Sequence, residues 1–127
     1  MSSLNPKSNA SNLHKKVFET IRQMYPTFRV VQEYSIKITN DYGKQLTLYL
    51  DIFIKELNLA IECNGIQHFK PVGFFHNGVE GFNKSKKNDK IKKEWCESNG
   101  ISLIEVDYDE DVSEKMLKNK IKKALKS

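Results

Sequence analysis

Residues 46–69 read LTLYLDIFIKELNLAIECNGIQHF. Two apolar runs dominate the stretch, and each carries one acid. Asp51 lies inside Leu48-Tyr49-Leu50-Asp51-Ile52-Phe53-Ile54, and Glu62 closes Leu57-Asn58-Leu59-Ala60-Ile61-Glu62. Asn64, Gly65, Gln67 and His68 follow directly. A carboxylate in an apolar strand carries a desolvation cost unless something compensates it. Lys55-Glu56 is short enough for a tight turn, so the runs are predicted to be adjacent antiparallel strands about 5 Å apart. At that spacing Asp51 and Glu62 on one face can share a cation. Mg²⁺ takes oxygen ligands, commonly one or two carboxylates with waters and a substrate phosphate. Asn64 and backbone carbonyls would add ligands.

Before this stretch, Phe28 to Ile38 is rich in β-branched and aromatic residues and reads as a strand. Asn40-Asp41-Tyr42-Gly43 is a turn signal, so a second strand over about Gln45–Ile54 returns as a hairpin. Leu57 to Glu62 or Cys63, with its run of apolar residues, reads as a central strand buried on both faces. Upstream, Leu13, Val17, Ile21 and Met24 form an apolar stripe on a helix capped by Ser11 or Asn12 and ended by Pro26. Residues 1–10 are small and polar and read as a disordered tail; residues 11–127 read as a single domain. Downstream, a long loop from Gln67 to Asn83 holds Phe69, Phe74, Phe75 and Phe82. A helix over about Lys84–Ser98 follows, with Ile91 and Trp95 on its buried side and Asn99-Gly100 as its C-cap. Ile101–Tyr108 reads as a fourth strand. Val112–Leu125 reads as a basic amphipathic helix with Val112, Met116, Ile121 and Leu125 inward. A strand–helix–strand step sets the fourth strand parallel to the third. The expected fold class is α/β: an αβββαβ core with a mixed central sheet flanked by helices, plus an extra C-terminal helix.

The chain has 127 residues, with 21 Lys and Arg against 16 Asp and Glu, a formal charge of +5. That balance favours a polyanionic partner such as nucleic acid. Cys63 and Cys96 form no CxxC pair, which argues against a zinc site and for reduced thiols. No signal peptide or membrane-length apolar run is visible, so a cytoplasmic location is expected. There is no Gly-rich phosphate loop, GxSxG or HExxH. His14 and His76 show no ligand-spaced partner.

The remaining chemistry gathers around the acids. His68 would activate water or ligate metal. Lys84, Lys86, Lys87, Lys90 and Lys92 crowd the start of the second helix, where they would contact phosphates. Asp89 stands beside His68 or the metal, or favours the helix N-terminus. Glu19, off the centre of the first helix's apolar stripe, reads as a solvated carboxylate.

The ordering of these motifs resembles the PD-(D/E)XK nuclease superfamily. Leu50-Asp51-Ile52-Phe53-Ile54 with Ile61-Glu62-Cys63-Asn64-Gly65-Ile66-Gln67-His68-Phe69 is similar to very-short-patch-repair and EDxHD homing endonucleases, as are Asn88–Lys92 and Gly100–Val106. The likeness covers about Leu13 to Tyr108. It implies a restriction-endonuclease-like fold and a Mg²⁺- or Mn²⁺-dependent DNA endonuclease of a phage or mobile element. Glu19, Asp51, His68 and Asp89 would fill its E, D, H and D roles, with Glu62 and Gln67 completing the site and Asp51, Glu62 and Asn64 holding metal. The superfamily's third-strand lysine is replaced by Asn64, leaving His68 or Lys90 to substitute for it. A homodimer would compensate for the lack of a separate DNA-reading domain. The competing expectation is a nuclease-fold protein that binds nucleic acid, or a host protein, with little or no cleavage.

Overall fold

The computed structural model describes residues 7–64 and 78–126, with side chains over 12–64 and 87–126. Helix α1 spans Lys7–Met24, followed by strands β1 (Val30–Thr39), β2 (Gln45–Ile54) and β3 (Leu59–Asn64), helix α2 (Gly78–Ser98), strand β4 (Ser102–Asp107) and helix α3 (Glu114–Lys126). The four strands form one mixed sheet in the order β1-β2-β3-β4. The first two neighbouring pairs are antiparallel and β3–β4 is parallel. This is the expected α/β class, an αβββαβ arrangement with a helix added at its end.

Two apolar layers sandwich the sheet. On one face Val17 and Ile21 of α1 and Leu117 and Ile121 of α3 meet Ile52, Ile54, Leu59, Ile61, Ile104 and Val106. On the other, Trp95 and Cys96 of α2 meet Leu50, Phe53, Ala60 and Leu103. β3 is central, and Leu59, Ala60 and Ile61 are fully buried. Each is inaccessible because alternate side chains feed opposite layers.

Local chemistry fixes the connections. Asn40 Oδ1 accepts from the backbone N–H groups of Tyr42 and Lys44, and Gly43 takes φ +78°, which closes the hairpin. Gly100 takes φ +69°, and Ile101 N–H donates to Cys96 O at 2.8 Å, the 6→1 bond of a Schellman cap on α2. Ser113 Oγ accepts from Met116 N–H at the start of α3.

Several boundaries move. α1 begins at Lys7, so residues 7–10 of the expected tail are helical. α2 begins at Gly78, inside the expected loop. Lys55–Leu57 is a 3-10 turn closed by Asn58 at φ +47°, which delays β3 by two residues. In α3 the buried stripe is Leu117 and Ile121, while Leu125 is 43% exposed. Ala124 packs inward in its place, because the i, i+4, i+7 row from Leu117 runs through Ile121 and Ala124.

One feature of the hairpin breaks strand periodicity. β1 and β2 keep a constant register from Val30↔Ile54 to Thr39↔Gln45, except that Glu33 and Asp51, which stand opposite, do not pair. On one side of that gap Val30, Ile52 and Ile54 face the α1/α3 layer. Beyond it Tyr34, Ile36, Leu48 and Leu50, also even-numbered, face the α2 layer. The Tyr34 ring lies 4.7 Å from that of Phe53, an odd-numbered residue. A regular strand keeps equal parity on one face. Here both strands exchange faces at Glu33 and Asp51. Glu33 makes the exchange in the left-handed region at φ +53°, at a cost of roughly 1–2 kcal/mol for a residue with a Cβ.

Candidate functional site

Asp51 sits where β2 and β3 separate. The β2–β3 ladder ends at Ile52↔Ile61. One residue further on, side chains replace the backbone bonds. Asp51 N–H donates to Glu62 Oε2 at 2.7 Å, and Cys63 N–H donates to Asp51 Oδ2 at 2.8 Å. The carboxylates thus satisfy backbone donors that a longer ladder would have paired. Asp51 Oδ1 accepts no hydrogen bond among the described residues.

Glu62 has a second partner. Lys92, on α2, donates from Nζ to Glu62 Oε1 at 2.8 Å, and the two side chains are only 16% and 9% exposed. Burial, reinforced by the charge of Asp51, pushes the Glu62 carboxyl up to about 7 despite the opposing lysine. Burial works against the Lys92 charge as well. The Glu62 charge and hydrogen bond, with Asp51 and Asp89, outweigh it and leave the ammonium above its ordinary value. The lysine therefore stays charged across neutral pH, whereas Glu62 titrates within it.

Asn64 ends β3 opposite Asp107 of β4, and its Nδ2 donates to Asp107 Oδ1 at 3.1 Å. That bond ties it to β4. Of the expected Asp51–Glu62–Asn64 set, Asp51 and Glu62 adjoin at the end of the β2–β3 ladder, while the Asn64 amide is engaged by Asp107. Glu62 spends its oxygens on Asp51 N–H and Lys92.

Of the lysines on α2, Lys92 is the one that pairs with Glu62. Lys90 is exposed, and Lys92 points inward where a phosphate contact was expected. Lys87 lines a groove between α2 and the hairpin tip, with Asn40, Tyr42 and Trp95. Lys93 is exposed and lies 3.8 Å from Glu105. Asp89 is half-buried and close enough to Lys92 to favour its charge. Gln67, His68, His76 and the aromatic positions Phe69, Phe74 and Phe75 lie outside the described residues, as do the side chains of Phe82, Lys84 and Lys86.

Glu19 is exposed on the outer face of α1. His14, five residues earlier and about 140° round the helix, approaches Asp51. One ligand atom from each of His14, Glu33 and Asp51 lies within 4.8 Å of the others. Sequence reasoning found no partner for His14 because its neighbours come from β1 and β2. Two signals pointed to it: His14 shares the stripe of Val17 and Ile21, and the hairpin register sets Glu33 opposite Asp51.

The molecule is therefore an α/β protein with an acid–acid–lysine centre at the opening between two strands. It is 33% identical over 85 residues to Uncharacterized protein 307L of Invertebrate iridescent virus 6, covering 67% of this chain and 43% of that one. Uncharacterized protein 033L of Invertebrate iridescent virus 3 is 38% identical over 61 residues, 48% of this chain and 31% of the relative. Uncharacterized protein 094L of Frog virus 3 is 39% identical over 72 residues, 56% of this chain and 45% of the relative. The chain spans less than half the length of each of these relatives. No family model matches the sequence, and no solved structure matches the fold. No helix among the described residues is long and apolar enough to cross a membrane.

Proposed function

We propose that the protein is a metal-dependent endonuclease that hydrolyses phosphodiester bonds in DNA. The observation that carries the reading is Asp51 standing beside the buried Glu62–Lys92 pair, where β2 and β3 part. Two carboxylates and a lysine from three elements provide the charges that phosphodiester hydrolysis uses. One acid holds a metal, and the ammonium stabilises or orients the water and the phosphate oxygens. Asp51 fits a divalent cation on its donor chemistry: it is a half-buried carboxylate with one oxygen uncommitted among the described residues. A bound Mg²⁺ or Mn²⁺ would supply charge to the phosphate and acidify a water. Glu62 would hold Lys92 in place and take a proton near neutrality. The net charge of +5, and exposed Lys87 and Lys90 on the helix that delivers Lys92, support a polyanionic substrate.

The test is cleavage of supercoiled plasmid in Mg²⁺ and in Mn²⁺. Cleavage should vanish in EDTA and fall about a hundredfold or more in Asp51→Asn and Lys92→Met. Undiminished cleavage in Asp51→Asn would refute the assignment.

A second reading, a nucleic-acid-binding protein without cleavage, is favoured by one detail: the two oxygens of Glu62 are occupied by Asp51 N–H and Lys92. It predicts DNA binding that weakens steeply with salt and no cleavage in either metal.

A further inference from the structure

We propose that His14, Glu33 and Asp51 form a binding site for a first-row transition metal of the Mn²⁺ or Zn²⁺ type, on the side of Asp51 facing α1 and β1. The site shares Asp51 with the nuclease reading. Its part in hydrolysis rests on that reading; its capacity to bind metal does not.

Three separate elements deliver these side chains, and each residue is held at a local cost. Glu33 adopts a left-handed backbone at φ +53° in the middle of a strand. His14 is 17% exposed, and its Nε2 is buried without a hydrogen-bond partner among the described residues. Its Nδ1 stands 4.0 Å from Glu33 Oε1, too long for a hydrogen bond. Asp51 and Glu33 bring two negative charges to one place. Strain at Glu33 and an imidazole nitrogen brought to two like charges are what a ligand site leaves behind.

A cation relieves the repulsion between the two carboxylates. It binds a neutral imidazole nitrogen and both carboxylates, and it makes the left-handed turn at Glu33 productive. Ligand atoms at about 2.1 Å from a metal lie at most about 4.2 Å apart, so the 4.8 Å envelope closes with a small movement. Glu33, 63% exposed, has room to make it. One imidazole with two carboxylates suits Zn²⁺, Mn²⁺ or Fe²⁺ better than Mg²⁺, which prefers an all-oxygen shell. Glu33's exposure also leaves the outer side of the site open to water or to a phosphate oxygen. The face exchange at Glu33 and Asp51 places both carboxylates toward α1, where His14 meets them.

The experiment titrates the full chain separately with Mn²⁺, Zn²⁺ and Mg²⁺. Mn²⁺ binding is read by loss of the free-ion electron paramagnetic resonance signal and Zn²⁺ by competition with a chromophoric chelator. Circular dichroism checks the fold of each variant. Mn²⁺ and Zn²⁺ should bind at least about tenfold more tightly than Mg²⁺. His14→Ala and Glu33→Gln should each weaken Mn²⁺ binding by about tenfold or more. Pulsed resonance of the Mn²⁺ complex should show coupling to one imidazole nitrogen that disappears in His14→Ala. Glu19→Gln should bind as the parent does. Loss of binding in Glu62→Gln but not in His14→Ala or Glu33→Gln would overturn the proposal and place metal between the strands, leaving the nuclease reading intact. Loss in Glu19→Gln with His14→Ala unaffected would overturn it in favour of the other helix position, and no binding of either metal would overturn it outright. Binding that depends on His14 and Glu33, with no DNA cleavage in any metal, would confirm the site and remove the nuclease reading.

Discussion

Asp51 and Glu62 each secure the other's strand: the Asp51 amide donates to the Glu62 carboxylate at 2.7 Å, and the Asp51 carboxylate accepts from the amide of Cys63, next to Glu62. The pair that promises chemistry is thus also the clasp at the end of the β2–β3 ladder. Truncation at Asp51 therefore has a structural cost. Asp51→Ala leaves the Cys63 amide without its partner and should lower stability by about 1–3 kcal/mol. Asp51→Asn keeps an acceptor oxygen and should cost less. Urea melts of the two variants check this. Equal stability of Asp51→Ala and the parent would show that the clasp contributes nothing.

Glu62 makes stability depend on pH. Its folded carboxyl is raised from the ordinary 4.5 to about 7. Between those values the native state holds a proton that the unfolded chain has released. The contribution is full at acidic pH and is lost as pH rises through about 7, at about 1.4 kcal/mol per pH unit. Denaturation midpoints at about pH 5 and about pH 7 should fall with rising pH by an amount that Glu62→Gln reduces. A midpoint that rises equally in both proteins would contradict the assignment.

Lys92 is the counter-charge in this centre. Lys92→Met leaves the Glu62 carboxyl buried beside Asp51 with no cation. The Glu62 carboxyl should titrate still higher, and stability near pH 8 should fall by something on the order of 3 kcal/mol. The loss should shrink at acidic pH, where Glu62 is neutral. Carboxyl-resolved NMR titration follows the first effect and urea melts the second. An unmoved Glu62 titration would mean that the ion pair is not formed in solution.

The strain at Glu33 predicts a trade between stability and binding. Glycine has no Cβ to oppose φ +53°. Glu33→Gly should therefore gain roughly 0.5–1 kcal/mol, after allowing for glycine's extra freedom in the unfolded chain. The same change removes a carboxylate from the proposed metal site. Thermal melts with and without Mn²⁺ should show a higher melting temperature without metal and a smaller rise on adding it. A lower metal-free melting temperature would argue that Glu33 is not strained.

The thiols should be sluggish nucleophiles. Burial, with the charges of Asp51 and Glu62, pushes Cys63 well above its ordinary value. Burial and Glu62 push Cys96 up to about 11. Iodoacetamide at about pH 8 should label the native protein at least about tenfold more slowly than the urea-unfolded chain. Comparable rates would show that the centre opens readily.

The order of elements, the hairpin and the central position of β3 are legible in the residues alone. Helical stripes, the Asn40–Gly43 turn and unbroken apolar runs are local signals, and short-range sterics and burial read them the same way in any context. Asp51 and Glu62 are legible too, because a carboxylate in an apolar strand is conspicuous wherever the strand packs. Tertiary structure decided which groups those acids meet. Lys92 reaches Glu62, rather than Lys90, because α2 lies across the sheet at one particular rotation, which the lysine-rich sequence alone does not fix. His14 reaches Asp51, rather than Glu19, because α1 packs through Val17 and Ile21 and turns Glu19 outward. The face exchange at Glu33 and Asp51 was the least legible. A period-2 reading of β1 and β2 assumes that the pleat never reverses, and the reversal is held by packing against helices on both sides of the sheet.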